Sequence, residues 1–158
     1  MRGNFRACQR HAPLLARSHG FPVLLYTLLA LLLTWPLALQ FATGVPGDGV
    51  DCWQNMWNMW WLKRALLEGH NPFYTTEIYY PGGASLLLHT LNPLNFVISL
   101  PLHALFGLVV AYNFALLFSL VASGYAAYLL AFDITHDQRA ALLAGAVFAF
   151  SGYMLAQA

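Results

Sequence analysis

Residues 108–132 read LVVAYNFALLFSLVASGYAAYLLAF, a run that contains no Asp, Glu, Lys or Arg. At about 1.5 Å of rise per residue, a helix over this run is longer than the ~30 Å hydrocarbon core of a bilayer. It has no charged face to turn toward water. We therefore predict a membrane span over 109–132, and with it an all-α integral membrane fold.

The composition of the whole chain supports this class. Of the 158 residues, 59% are hydrophobic and 8% are charged, and the mean hydropathy is +0.59. A soluble domain usually carries about 25% charged residues, so a soluble binding module is excluded. The net charge of +1 gives no general attraction to nucleic acid, and we predict the lipid bilayer rather than nucleic acid as a partner.

Two further uncharged runs predict two further spans, at about 21–43 and 140–157. The first contains Pro36, which membrane helices tolerate as a kink. A cleaved signal peptide is the alternative for the first run, but signal peptides have apolar regions of only about 7–15 residues. The run is longer than that, which favours an uncleaved anchor.

The basic residues that precede the first span set the predicted topology. They are Arg2, Arg6, Arg10 and Arg17, with no acid among them. The positive-inside rule places residues 1–20 in the cytoplasm. Three spans then place 44–108 outside the cytoplasm and the link 133–139 inside. We expect a single multi-pass domain, 1–158, in the cell membrane.

Two interfacial helices are predicted in the outer segment, at about 51–68 and 93–107. In the first, helical spacing places most of the aromatic side chains on one face; these are Trp53, Trp57, Trp60 and Trp61, with Met56. Gln54, Asn55 and Asn58 fall largely on the other face. Tryptophan favours the headgroup level of a membrane, so anchoring alone is one interpretation of this helix.

Two acids open the same segment, in Gly47-Asp48-Gly49-Val50-Asp51. Asp51 suits a helix N-cap, whereas Asp48 lies between glycines that let a backbone approach a ligand closely. Each histidine of the segment is isolated, and His89, between a turn and a helix start, is the best candidate among them. The sequence has no serine-nucleophile motif, Walker loop, GxGxxG or zinc-type spacing.

The order of these elements resembles the N-terminal part of a known enzyme family. After the first span come the acids, the aromatic helix, Asn71-Pro72-Phe73, Tyr79-Tyr80-Pro81-Gly82-Gly83 and a helix ending Leu105-Phe106-Gly107. The second span and a third beginning Arg139-Ala140-Ala141 complete the order. Over about residues 20–158 the chain is similar to polytopic membrane glycosyltransferases of the GT-C fold, the dolichyl-phosphate-mannose-transferase-like group and its bacterial members.

The resemblance implies a hexosyltransferase that uses a polyprenyl-phosphate sugar as donor. It implies catalytic roles for Asp48 and Asp51, either as a general base or as ligands of a divalent cation, Mg²⁺ or Mn²⁺. It also implies that Lys63, Arg64 or His89 neutralises the phosphate. The D-G-V-D spacing departs from the tighter acidic pairs of the family, so the resemblance does not say which Asp is primary.

Members of that family have many more spans, so we expect this chain to be a fragment that is inactive alone. The alternative function is a non-catalytic multi-span membrane protein, such as an assembly factor or part of a transporter or lipid-flipping protein. Intramembrane charges would favour transport, and the three predicted spans contain none.

Overall fold

A computed structural model describes residues 19–47, 49 and 51–156, and the described part of the chain is mostly helical. The all-α prediction is therefore confirmed. The predicted cytoplasmic segment 1–20 lies almost wholly outside the described residues, as does Asp48. The helices are α1 (Gly20–Leu33), α2 (Asp51–Glu68), α3 (Pro93–Phe106), α4 (Leu108–Thr135), α5 (Gln138–Ala149) and α6 (Gly152–Ala156). A 3-10 turn covers Leu37–Leu39, and the two-residue strands β1 (Tyr74–Thr75) and β2 (Ala84–Ser85) pair antiparallel.

The central element is α4, and α1, α3 and α5 all pack against it. Its 28 residues correspond to about 42 Å of helix. Among the described residues it is the one helix that is long and apolar enough to cross a membrane. The span predicted at 109–132 is thus matched by a candidate membrane helix, while α1, α3 and α5 are shorter apolar helices.

The predicted first span, 21–43, is not one continuous helix. α1 ends at Leu33, and its 14 residues reach only about 21 Å. The cause is Pro36, which has no N–H to donate and whose ring clashes with the carbonyl four residues earlier. It also disfavours helical geometry at the residue before it, Trp35. The chain continues as a 3-10 turn rather than as the kinked helix that we predicted.

The predicted third span, 140–157, is also interrupted. α5 ends at Ala149, and α6 begins at Gly152. The break falls at Phe150 and Ser151, just before Gly152, and serine and glycine have lower helix propensity than the alanines around them. Ser151 Oγ accepts a hydrogen bond from the backbone N–H of Met154 at 3.5 Å, which favours a fresh helix start at this point. The prediction of three full-length spans is therefore not confirmed.

The C-terminal half of α4 packs against α1 and α5 without a gap. Tyr26 of α1 is fully buried and donates its hydroxyl hydrogen to the backbone oxygen of Leu142 at 3.1 Å. Gly124 of α4 and Gly145 of α5 face each other beside it. A Cβ on Gly145 would meet the Gly124 oxygen at 2.5 Å and would also overlap Tyr26 Oη. Small residues at this crossing let the three helices approach closely.

The N-terminal half of α4 packs against the surface helices α2 and α3, whose predicted bounds of 51–68 and 93–107 are closely matched. The shared core contains Cys52, Met56, Met59 and Leu62 of α2, Phe96 of α3, and Ala111 and Tyr112 of α4. The predicted division of α2 into an aromatic and a polar face is wrong in one respect. Asn58 is only 3% exposed, whereas Trp53 is largely exposed, because the helix turns its Cys–Met–Leu face toward α4.

Candidate functional site

Asp51 is the first residue of α2, and its side chain is exposed. Residues four, seven and eleven positions further along a helix return to the same face. From Asp51 these are Asn55, Asn58 and Leu62, all of which line one pocket. The helix therefore carries a carboxylate one turn before a row of amide side chains, at the open end of the α2–α4 contact.

That pocket lies between α2, the start of α3 and the N-terminal half of α4. Its volume is about 180 Å³. We call it the asparagine pocket, after the four asparagines in its wall. Its lining is Asn55, Asn58, Met59, Leu62, Asn92, Asn95, Tyr112, Ala115, Leu116 and Ser119. None of these side chains carries a charge, so the pocket combines amide and hydroxyl groups with an apolar floor.

Asn58 forms the fixed inner wall of the pocket. Its Nδ2 donates to the backbone oxygen of Thr90 at 3.1 Å, and its Oδ1 accepts from His89 Nε2 at 2.9 Å. The His89 ring also stands edge-on to Trp57. Gln54, one turn earlier, donates to Thr90 Oγ1 at 2.8 Å. These bonds tie the loop before α3 to α2, so His89 serves as a support directly behind the pocket.

The start of α3 supplies two more amides. Asn92 is the N-cap of the helix, and its Oδ1 accepts from the backbone N–H of Asn95 at 3.3 Å. Asn95 Oδ1 in turn accepts from Ser119 Oγ of α4 at 3.2 Å. Both amide oxygens are thus engaged, and no described residue accepts a hydrogen bond from either Nδ2.

The loop that leads to Asp51 is anchored by α4. Asn113 is fully buried, and its Nδ2 donates to the backbone oxygens of Phe41 and Gly44 at 2.9 and 2.7 Å. A residue of α4 therefore fixes the segment immediately before the two predicted catalytic acids. Among the described residues, only Asp51 of that pair can be placed.

The predicted phosphate ligands on α2 lie in a separate cleft of about 230 Å³ with Trp60, Leu67, Glu68 and His103. Arg64 pairs with Glu68 and with Glu77, each at 3.0 Å, and its guanidinium lies 5.3 Å from the Trp60 ring centroid. Lys63 Nζ donates to the backbone oxygen of His103 at 3.5 Å. Two carboxylates already neutralise Arg64, which leaves Lys63 as the cation of this cleft.

His103 is a buried titratable group in the same cleft. It is 6% exposed, and its Nδ1 has no hydrogen-bond partner among the described residues. Burial lowers the pKa of its imidazole, and the nearby Lys63 charge lowers that pKa further. The ring is therefore neutral at pH 7.

The structure does not gather the predicted site residues into one place. Lys63 follows Asp51 by twelve positions on one helix, which is roughly 18 Å along the axis. His89 lies behind the asparagine pocket, and Asp48 is outside the described residues. The described part of the chain has no group of three or more His, Cys, Asp or Glu side chains that could hold a metal ion. Asp51 alone is not a cation site, so the Mg²⁺ or Mn²⁺ role has no support from these residues.

Sequence reasoning missed the asparagine pocket. Asn55 and Asn58 were placed on the face opposite the aromatic side chains, and Asn92 and Asn95 were given no part in a site. A signal was present: Asn residues at 55, 58, 92 and 95 form two pairs at a spacing of three, one on each predicted surface helix. Only the packing of the two helices on α4 brings the pairs together.

Comparisons with known proteins add no relative. No protein-family model matches the chain, no curated protein is similar to it, and no solved structure matches it.

Proposed function

We propose that this chain forms part of a membrane glycosyltransferase that moves a sugar from a polyprenyl-phosphate donor to an extracytoplasmic acceptor hydroxyl. The observation that carries the proposal is the position of Asp51, a solvent-accessible carboxylate one helical turn from a pocket of amide side chains. Asp51 and two of the pocket asparagines belong to α2, a surface helix that packs on the N-terminal half of an apolar helix long enough to cross a membrane.

The exposed surface of the helices supports a membrane location. Only 22% of the most apolar window of α4 is buried by the rest of the protein, unlike the core helix of a soluble domain. On α1 the exposed side chains include Phe21, Leu24, Leu28 and Leu32, which follow helical spacing along one stripe. On α5 they include Leu143 and Val147. Such contiguous apolar surface is typical of contact with lipid.

The proposed topology retains three crossings, with two of them built from broken helices. α1 crosses together with the 3-10 turn at Leu37–Leu39, and α5 crosses together with α6. Irregular backbone at membrane depth is tolerated where protein covers it. Directly after the 3-10 turn, Asn113 of α4 binds the carbonyls of Phe41 and Gly44. In this arrangement residues 44–108 lie outside the cytoplasm, with the asparagine pocket and Asp51.

The chemistry assigned to Asp51 is general-base catalysis. Its carboxylate takes the proton of the acceptor hydroxyl while that oxygen bonds to the anomeric carbon, and the bond from that carbon to the phosphate oxygen breaks. The electron pair of the broken bond leaves with the polyprenyl phosphate.

The test is a transfer assay on membranes that carry the product of the complete gene, with labelled polyprenyl-phosphate hexoses as donors. Asp51→Asn keeps the size and the capping ability of the side chain but cannot take a proton. General-base catalysis contributes about 10²–10⁴-fold, so we expect at least a hundredfold fall in kcat with normal membrane insertion. Asp48→Asn is measured in parallel, because the resemblance does not distinguish the two acids.

The matched control is Asp137→Asn, which changes the N-cap of α5 in the same way. Its transfer rate should stay at the wild-type level. Two results would contradict the proposed transferase. One is that wild-type membranes transfer no hexose from any donor; the other is full activity in both Asp48→Asn and Asp51→Asn. The non-catalytic alternative, an assembly or transport protein, would then be the better account.

A further inference from the structure

The asparagine pocket has unused hydrogen-bonding capacity that its role in packing does not explain. Neither amide atom of Asn55 makes a hydrogen bond to a described residue. In the same part of the structure, Asn92 and Asn95 use their oxygens but not their Nδ2 groups. A primary amide offers two donors and an acceptor with two lone pairs. Three asparagines therefore present several donors and one free acceptor to a single small space.

The rest of the pocket lining is largely apolar. It includes Met59 and Leu62 of α2 and Tyr112 and Leu116 of α4. At 180 Å³ the space is far larger than the ~10–15 Å³ that a single water needs. It also exceeds the engineered ~150 Å³ cavity that admits a benzene ring. A six-membered ring therefore fits, and it would contact both amide and apolar side chains.

Because the lining has no charged side chain, the class of ligand that the pocket can bind is restricted further. A phosphate or carboxylate would enter with no cationic side chain to pair with, and desolvating an unpaired charge is costly. A purely apolar ligand would displace water from the free amides without replacing its hydrogen bonds, and that loses affinity. A neutral ligand that carries several hydroxyl groups meets both conditions.

We infer that the asparagine pocket binds the ring of a neutral polyhydroxylated ligand, a hexose or hexose-like polyol. Asn55, Asn92 and Asn95 contact its hydroxyl groups, and the Tyr112 side chain borders its carbon face. Asn58 and His89 hold the wall in place through their mutual hydrogen bond. The inference deepens the proposed function by naming the group that lies beside Asp51, but binding at the pocket does not require transfer.

Two substitutions remove pocket amides while preserving the helices. Asn92→Ser keeps a good N-cap on α3 and deletes the free amide. Asn55→Ala replaces a helix-interior residue by a better helix former and deletes both donor and acceptor. Asn71→Ser is the matched control, because Asn71 Oδ1 accepts from the backbone N–H of Phe73 in a turn outside the pocket. A serine hydroxyl can accept the same bond.

The experiment measures saturable binding of methyl hexosides and myo-inositol to the purified full-length protein in detergent, by saturation-transfer NMR. Inorganic phosphate is the charged comparison probe. We expect at least one hexoside or inositol to bind, with a tenfold or greater rise in Kd for Asn55→Ala and Asn92→Ser. The Kd of Asn71→Ser should equal that of the wild type.

Three results would overturn the inference: no saturable binding of any neutral probe, binding of phosphate alone, or hexoside binding that both pocket variants leave unchanged. These results differ from a failure of the proposed function. Normal hexoside binding by a protein that transfers no sugar would support the pocket assignment and exclude the proposed transferase activity. Asp51→Asn serves as the internal reference, since it should lose transfer and keep hexoside binding.

Discussion

The two halves of α4 pack against their neighbouring helices in different ways. Its C-terminal half meets α1 and α5 through Gly124 and the buried rings of Tyr26 and Tyr128, with almost no space left between backbones. Its N-terminal half meets α2 and α3 through Tyr112 and Ser119, binds the connection before α2 through Asn113, and borders the asparagine pocket. Close packing thus stabilises one end of the helix, and polar side chains at the other end support a site.

This difference explains where function can be placed in the molecule. A tightly packed crossing of small residues has no room for a ligand, and any added atom disturbs it. A half that is held by directed hydrogen bonds can keep a cavity without collapsing, because amide side chains fix the distances between elements. Three substitutions test this difference in packing, and they are given in order of decreasing expected effect.

We expect the largest loss of stability from Asn113→Leu, in the N-terminal half of α4. Leucine cannot donate the hydrogen bonds that the carbonyls of Phe41 and Gly44 accept from Asn113. Each buried polar group left without a partner costs about 1–3 kcal/mol. We expect the free energy of unfolding, measured by denaturant titration in detergent, to fall by roughly 2–4 kcal/mol. Proteolysis near residues 41–47 should also accelerate, because the segment before Asp51 loses its anchor.

Ser123→Ala is the control on the same helix. Its hydroxyl donates only to the Leu120 carbonyl of its own turn, at 3.0 Å, so its removal should change stability by less than about 0.5 kcal/mol. Equal stabilities of Asn113→Leu and Ser123→Ala would show that the connection before α2 does not depend on α4.

We expect a smaller loss of stability from Gly145→Ala, where α5 packs on the C-terminal half of α4. The added methyl group would overlap Tyr26 Oη and the Gly124 carbonyl oxygen, and overpacking of this kind costs about 1–3 kcal/mol. Gly152→Ala is the matched control, since a Cβ there meets nothing within 4 Å. Thermal unfolding of both variants, and of Gly145→Ala with Tyr26→Phe, measures the effect. Tyr26→Phe is also measured alone, because it loses the hydrogen bond to Leu142; a double variant destabilised by the sum of the two single effects would exclude the tyrosine oxygen as the source of the clash.

The smallest effect is expected from His103→Leu, and only in its pH dependence. The pKa of His103 is lowered in the folded protein, so below the ordinary value of about 6.5 the unfolded chain binds more protons than the folded one. Wild-type stability therefore decreases as pH falls from about 7 through that value. The leucine variant cannot titrate there, and its Tm should change less between pH 7.5 and pH 5. Parallel pH profiles for the two proteins would contradict the assignment.

The sequence alone was enough to predict the helical class and most of the elements. Low charge and apolar runs predicted a helical membrane protein with three spans; the helical class is confirmed, and one predicted span is matched by a candidate membrane helix, α4. Local signals were enough to set the bounds of α2 and α3, because Asp51 and Asn92-Pro93 start those helices and Gly69 and Gly107 follow their ends. The effect of Pro36 was a local signal too, although we predicted a kink where the helix ends.

The sequence did not predict which polar residues lie together, because that depends on how the helices pack. Asn55 and Asn58 are separated from Asn92 and Asn95 by more than thirty residues, and periodicity within one helix cannot say which face a neighbouring helix will cover. The same limit applies to Lys63 and Arg64, which the sequence placed with the acids. The length of a straight helix separates them from Asp51, and Glu77 occupies Arg64 from a distant loop. Local sequence fixes helix starts and ends through capping and proline geometry, whereas a pocket depends on how distant helices pack.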